Sequence, residues 1–321
     1  MASPRAFSFS VDHSEHDQRL DMVVASRLAD CSRSFAAILI RNGNIRVNQS
    51  AVKPGHRLKA GDVVDGDIPP PEPVDHAPEN IPLDFLYEDE DLAVVNKPAG
   101  MVVHPAPGNY TGTLVNALLF HCPDISQING DIRPGIVHRL DKDTSGVMVV
   151  AKNSVTHEHL SRQFKERSIK KEYLAIVHGR MADDSGSVSL PIGRHSTQRK
   201  KMSTLSRVGR SAETIWQVET QYESFTLLRL DLKTGRTHQI RVHCSAIHHP
   251  IVGDPLYGGR RWSAMPGSVS DKVRHLLKGV KRQMLHARQL TLRHPTSGES
   301  LTFDAPIPGD MQTLMKGLEG K

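Results

Sequence analysis

This 321-residue chain predicts an α+β fold with a largely antiparallel mixed sheet, preceded by a small basic α/β module. Three observations lead there. The run DIPPPEPVDHAPENIP, Asp67 to Pro82, holds six prolines and four acids, so it forms neither helix nor a good strand and divides the chain. Beyond it, short strand-like runs follow one another as hairpins with helices interspersed irregularly, which argues against a regularly alternating parallel fold. Hydrophobic residues make up 38% of the chain, enough to bury a proper core. The resulting boundaries are a flexible tail over 1–16, a compact basic module over 17–66, a proline-rich linker over 67–82 and a main domain over 83–321.

In the first module, RLDMVVASRLA places Leu20, Val23, Val24 and Leu28 at helical spacing. SRSFAAILIRNG starts with a serine cap and stops at Asn42-Gly43. NIRVNQ and GDVVDGDI then read as short strands. In the main domain DFLYEDEDLAVVNKP is a hairpin turned at its acidic run, TGTLVNALLFH is a helix, and GIVHRL and GVMVVAKN are strands flanking a DKDTS loop. SVTHEHLSRQFKER is a polar helix capped by Ser154, and KKEYLAIVHG, SAETIWQVET and SFTLLRLDLKTG are strands. RTHQIRVHCSAI offers Thr237 as a cap, with Ile240, Cys244 and Ile247 at helical spacing. HARQLTLRHPTSGESLTFDAP is a hairpin around PTSGES, followed by a short C-terminal helix.

Composition narrows the class. Apolar runs are short, as in FAAILI at 35–40, and MASPRAFSFSVDHSEHDQ has no continuous apolar core, so neither a membrane span nor a signal peptide is expected. Three scattered cysteines, Cys31, Cys122 and Cys244, suit reduced thiols and a cytoplasmic location. Lys plus Arg outnumber Asp plus Glu by 41 to 35, a net charge of +6. The excess is concentrated: Cys31 to Gly61 carries Arg33, Arg41, Arg46, Lys53, Arg57 and Lys59 without an acid, while EDED at 88–91 gathers negative charge elsewhere. A local basic face of this kind is the footprint of phosphate binding, its plain alternative being a solvated surface.

HRLDKDTSG, His138 to Gly146, begins like a calcium loop, with Asp141, Asp143, Ser145 and Gly146 at the first, third, fifth and sixth positions. The twelfth position is Lys152, a cation where the bidentate acid belongs, and VMVVA supplies no oxygen ligands. His238 and His243 have finger-like spacing, but no Cys-x-x-Cys precedes them, which disfavours zinc. No metal site is expected.

GIVHRLDKDTSGVMVVAKN, KKEYLAIVHG, KTGRTHQIRVH and HPIVGDPLYGG, in this order from Gly135 to Gly259, resemble the successive motifs of the RluA-type RNA pseudouridine synthases. From about Arg19 to the C-terminus the chain is similar to the RluD branch, which acts on large-subunit ribosomal RNA. The basic module resembles a small RNA-binding unit also seen in a ribosomal small-subunit protein and in tyrosyl-tRNA synthetase. The resemblance implies an isomerase that detaches uracil from its ribose, turns it and rejoins it through a ring carbon, with no redox cofactor, metal or small-molecule cofactor. RNA, as large-subunit ribosomal RNA or its precursor particle, is the expected partner of a monomeric chain.

Under this resemblance Asp141 is the acting carboxylate, whether by attacking the anomeric carbon, adding to the ring or removing a ribose proton. Each route requires an ionised, oriented carboxylate in a site closed to bulk water. Arg241 stands at the position of its cationic partner, whose fork matches a carboxylate. Tyr173 stands where an aromatic ring lies against the target base. Arg139 is the candidate that enters the space of the extruded uridine. His138 is expected to shape the loop by hydrogen bonding, and Asp143, Thr144, Ser145 and Gly146 to form its turn. The stretch Arg194 to Arg210 is basic without an acid, and Arg194, Arg199 and Lys200 are its candidate phosphate contacts, joined by Arg33, Arg41, Arg46 and Lys53 of the module.

Three rival readings remain distinct. A non-catalytic RNA-binding protein of the same fold predicts decayed motifs, whereas Asp141, Tyr173 and Arg241 are all present. A glycoside hydrolase requires two carboxylates across the scissile bond, and only one acid has a matching motif. A pseudouridine synthase acting on transfer RNA keeps the chemistry and changes the target.

Overall fold

The computed structural model describes residues 5–28, 31, 33–69, 77–105, 109–127, 134–198, 200–260 and 270–319. The chain divides into two compact units, Met1–Val74 and Asp75–Lys321. In the first, β1 (Arg5–Ser10), α1 (Leu20–Arg27), α2 (Arg33–Arg41), β2 (Ile45–Val47) and β3 (Val63–Ile68) form a helix pair and an antiparallel sheet of order β1-β3-β2. Leu20, Val23, Val24 and Leu28 are buried together with Ile40, Ile45, Leu58 and Val64, so the helical spacing in the sequence marks the packed face. The serine cap expected for α2, Ser32, lies outside the described residues.

Residues 1–16, expected as a flexible tail, are structured from Arg5 onward. Arg5–Ser10 pairs with Ile68–Val63, and Phe7 and Phe9 pack against the core of the unit. Arg27 then fastens the following turn through Glu15 (2.8 Å) and Asp12. The alternation in RAFSFS is short and becomes a strand only against a partner more than fifty residues later in the chain, which no local pattern reveals.

The second unit is built on β4 (Phe85–Glu88), β5 (Leu92–Lys97), β6 (Ser145–Ala151), β7 (Lys170–His178), β8 (Ser185–Val188), β11 (Thr214–Gln221), β12 (Phe225–Leu232), β13 (Leu285–Arg293) and β14 (Ser300–Asp304), with a small ribbon of β9 (Gly193–Arg194) and β10 (Met202–Ser203). The sheet runs β4-β5-β6-β13-β7-β12-β11-β8, with β14 on β13. Its strands pair antiparallel except where β6 meets β13 in parallel, Ser145 opposite His286 and Gly146 opposite Ala287. This is the largely antiparallel mixed sheet expected. Around it lie α3 (Leu114–His121), α4 (Ser154–Glu166), α5 (Gln239–Ala246), α6 (Asp271–Gly279) and α7 (Gly309–Glu319), of which α6 was not legible in the sequence.

The expected linker is tied down in part. Asp67 and Ile68 complete β3, residues 70–76 lie outside the described residues, and residues 77–82 are held on α3. Asn116 donates its side-chain amide to Ala77 O (3.0 Å), and Glu79 accepts from the Gly112 N–H (3.0 Å).

Two local expectations change. GIVHRL forms only a bridge between Ile136 and Val150, because the amide of Val149 is taken by the His138 ring: Nε2 accepts it at 3.0 Å where a strand carbonyl would otherwise sit. Helix α4 is capped by Asn153, whose side chain accepts from Thr156 N, leaving Ser154 as its first residue.

Candidate active site

The loop from Asp141 to Ser145 is gripped from several elements. Thr144 N donates to Asp141 O (3.0 Å), closing the turn. Lys142 O accepts from Gly100 N (2.9 Å) and Lys97 Nζ (3.1 Å). Asp143 O accepts from Arg282 Nη1 (3.2 Å), and Arg282 is itself forked onto Asp310 of α7. Thr144 Oγ1 accepts from Gln283, and Ser145 Oγ pairs with the His286 ring at 2.9 Å. Gly146, at φ +117°, passes so close to β13 that a Cβ would lie 2.1 Å from Ala287 O, so only glycine fits there. The loop is thus a rigid mount for Asp141.

Asp141 meets Arg241 from α5: Nη1 donates to Oδ2 at 2.8 Å. Arg241 is in turn forked onto Asp254, Nε to Oδ2 at 2.7 Å and Nη2 to Oδ1 at 3.1 Å. Asp254 is fully buried, and its Oδ1 also accepts the amides of Leu256 and Tyr257. Burial opposes the charge of Arg241, but the hydrogen bonds and charge of Asp254, then those of Asp141, raise its pKa above the ordinary arginine value. The Tyr257 ring lies beneath its guanidinium at 5.1 Å. Asp254 therefore has no free oxygen for chemistry, whereas Asp141 keeps a partly exposed side chain.

Thr237, expected as the cap of α5, is displaced from that role by His238, which takes the N-cap position in a left-handed conformation (φ 57°). The Tyr257 hydroxyl accepts from Met202 N (2.9 Å) and lies 2.7 Å from His238 Nδ1. The other ring nitrogen, Nε2, lies 3.8 Å from Asp141 Oδ1. Burial, outweighing the pull of Asp141, lowers the pKa of His238 and favours the neutral ring. His243, whose spacing from His238 hinted at metal, uses its ring nitrogens on Thr214 and Leu190 O.

Asp141, Arg139, Tyr173 and Arg241 line one cavity of about 500 Å³. Tyr173, on β7 opposite Leu230 and Ala287, has its hydroxyl pKa raised by burial and then by the charge of Asp141, so it stays a neutral phenol. Arg139 is exposed at the rim, with Thr237 Oγ1 at 3.5 Å. His138 stacks on Phe164 at 4.6 Å, and burial lowers its pKa to about 3.

The basic residues are distributed. Arg41 and Lys53 line a hollow of the first unit together with Arg19 and His56. Arg33 is drawn to Asp21 (3.2 Å), and Arg46 is exposed on β2. Arg194 and Lys200 are exposed on and beside β9, and Arg199 lies outside the described residues.

Asp254, Tyr257, Lys97 and Arg282 escaped the sequence reading. Asp254 and Tyr257 lie within HPIVGDPLYGG, and an acid in so apolar a stretch was itself a sign of a buried cationic partner. Lys97 is buried with its Nζ on the carbonyls of Pro98 (2.8 Å), Met101 (2.8 Å) and Lys142, in a strand that offers no polar periodicity to betray it.

Residues 91–246 match the family described as RNA pseudouridylate synthase, and residues 18–64 match the S4 domain. The chain is 45% identical over 304 residues, 95% of each chain, to the uncharacterized RNA pseudouridine synthase YlyB of Bacillus subtilis. It is 43% identical over 319 residues, 99% of this chain and 96% of the other, to the ribosomal large subunit pseudouridine synthase D of Vibrio vulnificus. Among solved structures, human RNA Pseudouridylate Synthase Domain Containing 4 superposes with a TM-score of 0.57 at 28% identity, covering 73% of this chain and 92% of that one. Likeness over both units, and across the loop that carries Asp141, defines an RNA pseudouridine synthase with an S4 domain ahead of its catalytic domain. The chain belongs to the RluA-type family, and relatives bearing the large-subunit synthase D name match it at 42 to 46% identity over nearly its whole length.

Proposed function

We propose that this enzyme converts specific uridines of large-subunit ribosomal RNA to pseudouridine in the cytoplasm, with Asp141 as the acting carboxylate. In the net reaction the N1–C1′ bond of uridine breaks, a C5–C1′ bond forms, C5 loses its proton and N1 gains one. The observation that carries the reading is the chain Asp254–Arg241–Asp141. Two carboxylates share one buried guanidinium, and both oxygens of Asp254 are committed to it, so a single carboxylate faces the cavity. A glycosidase pair needs two available carboxylates and is disfavoured by the same arrangement. The ribosomal target is supported by the names of the large-subunit synthase relatives and by the S4 domain.

Asp141→Asn keeps size and hydrogen bonding but removes the charge and the nucleophile, so turnover should vanish while RNA binding survives. Pseudouridine formation by the purified variant at near wild-type rate would end the assignment. Mapping pseudouridines in ribosomal and transfer RNA from cells with and without the protein decides the target: loss confined to transfer RNA would replace the ribosomal reading.

A further inference from the structure

The cavity is unevenly charged. Asp141 is the one acid among its described lining residues, against six cations: Arg139, Lys165, Arg167, Lys171, Arg236 and Arg241. The buried one, Arg241, is neutralised by Asp141 and Asp254. Toward solvent the pattern reverses. Arg167 is exposed and Arg236 half-buried, and among the described residues neither forms an ion pair with a carboxylate. Arg236 spends its Nε on Ser211 O (3.1 Å), leaving its terminal nitrogens for another partner.

These cations crowd one another. Arg236 has its pKa lowered by burial and then by repulsion from Arg210 and Arg167. Lys171 is lowered by burial and by Arg167, against the pull of Asp231. Arg167 ends α4 at φ 61°, a left-handed position where glycine is the ordinary choice. A cation at a helix C-terminus is mildly favourable in itself, but nothing about the helix calls for Arg236 to line the same cavity.

We propose that Arg167 and Arg236 form a phosphate site at the cavity mouth that receives the backbone phosphodiester of the nucleotide whose base and ribose enter the cavity. The inference rests on the uridine-isomerising reading above. Guanidinium forks match phosphate oxygens in pairs, and a cavity of about 500 Å³ is of a size for one nucleotide. The charge asymmetry gives the nucleotide its polarity: the phosphate stays at the unpaired cations, away from Asp141, and the ribose and uracil lie toward the carboxylate. Uridine without a phosphate loses this anchor.

The test uses short RNAs that differ only in one neutral methylphosphonate linkage, placed either 5′ or 3′ of the target uridine. Binding to the full-length wild type, Arg167→Gly and Arg236→Gln is followed by fluorescence anisotropy. On ordinary RNA each variant should bind about tenfold more weakly, as expected when one charge-assisted hydrogen bond is removed. One of the two methylphosphonates should weaken wild-type binding to a similar degree and add little in the variants, because both changes remove the same interaction. The position showing this non-additivity identifies the phosphate. Arg167→Gly relieves the left-handed backbone, so a thermal midpoint at or above that of the wild type shows that weakened binding is not fraying of α4. Unchanged binding by both variants, or methylphosphonate effects that add in full to those of the variants, overturns the site. Single-turnover pseudouridine formation by the wild type on the ordinary RNA checks the underlying reading separately.

Discussion

Asp254 holds Arg241 by two hydrogen bonds, at 2.7 and 3.1 Å, while Arg241 extends a single nitrogen to Asp141 at 2.8 Å. The guanidinium is therefore oriented by a buried carboxylate that does not line the cavity, and presented to the one that does. A buried charge held this way is sensitive to loss of either partner, because the survivor is left uncompensated.

Asp254→Asn should accordingly cost about 3 to 5 kcal/mol of stability, the range for breaking a buried ion pair from one side. It should also slow pseudouridine formation at saturating RNA, since Arg241 loses its mount. Thermal denaturation and single-turnover assays check both, and a variant as stable and fast as wild type would show that Arg241 is held by something else.

Lys97 yields a pH prediction. Burial lowers its pKa to about 7, against the ordinary 10.5, while the charges of Asp143 and Asp141 oppose that fall. Between those two values the unfolded chain binds more protons than the folded one, so this group makes stability rise with pH across the interval. Lys97→Met removes the titration but leaves the carbonyls of Pro98 and Met101 without their ammonium donor. Wild-type stability relative to this variant should therefore grow from about pH 7 upward, as measured by urea unfolding at several pH values. A constant difference would show that the three carbonyls keep the amine protonated throughout.

Arg139 should matter for reaching the uridine more than for bond chemistry. It sits exposed at the rim of the cavity, next but one to Asp141. Arg139→Ala should fail on a structured stem-loop and lose less on a flexible strand, because unstacking a base costs about a few kcal/mol. Arg241→Ala should cripple both substrates alike. Equal losses for Arg139→Ala on the two RNAs would remove the extrusion role.

Removing residues 1–74 should leave a folded, catalytically competent unit, since the buried clusters around the large sheet draw only on residues beyond that point. Affinity for large RNA should fall, and the slope of log affinity against log salt should shrink by about 0.7 to 0.9 for each phosphate that the module no longer neutralises. An unchanged slope would mean that Arg41, Lys53 and their neighbours are merely solvated.

Local pattern was enough to read much of this protein. The spacing of Leu20, Val23, Val24 and Leu28 determines which face of α1 is buried, because a helix repeats its side-chain direction every three to four residues. The acidic turn before Leu92 and the PTSGES turn before β14 determine their hairpins, since turn chemistry acts over neighbouring residues. The ordered motifs marked Asp141, Tyr173 and Arg241, and the fold gathers them around one cavity. Where an element depends on a distant partner, pattern failed. Arg5–Ser10 is a strand only because Val63–Ile68 lies beside it, and GIVHRL is not a strand because the His138 ring takes the amide of Val149. The commitment of Asp254 to Arg241, the closure of the loop by Lys97 and Arg282, and the meeting of Arg167 and Arg236 at one cavity were likewise decided by tertiary structure. Charges pair or repel across space, whereas the patterns legible in a sequence are short periodicities along the chain.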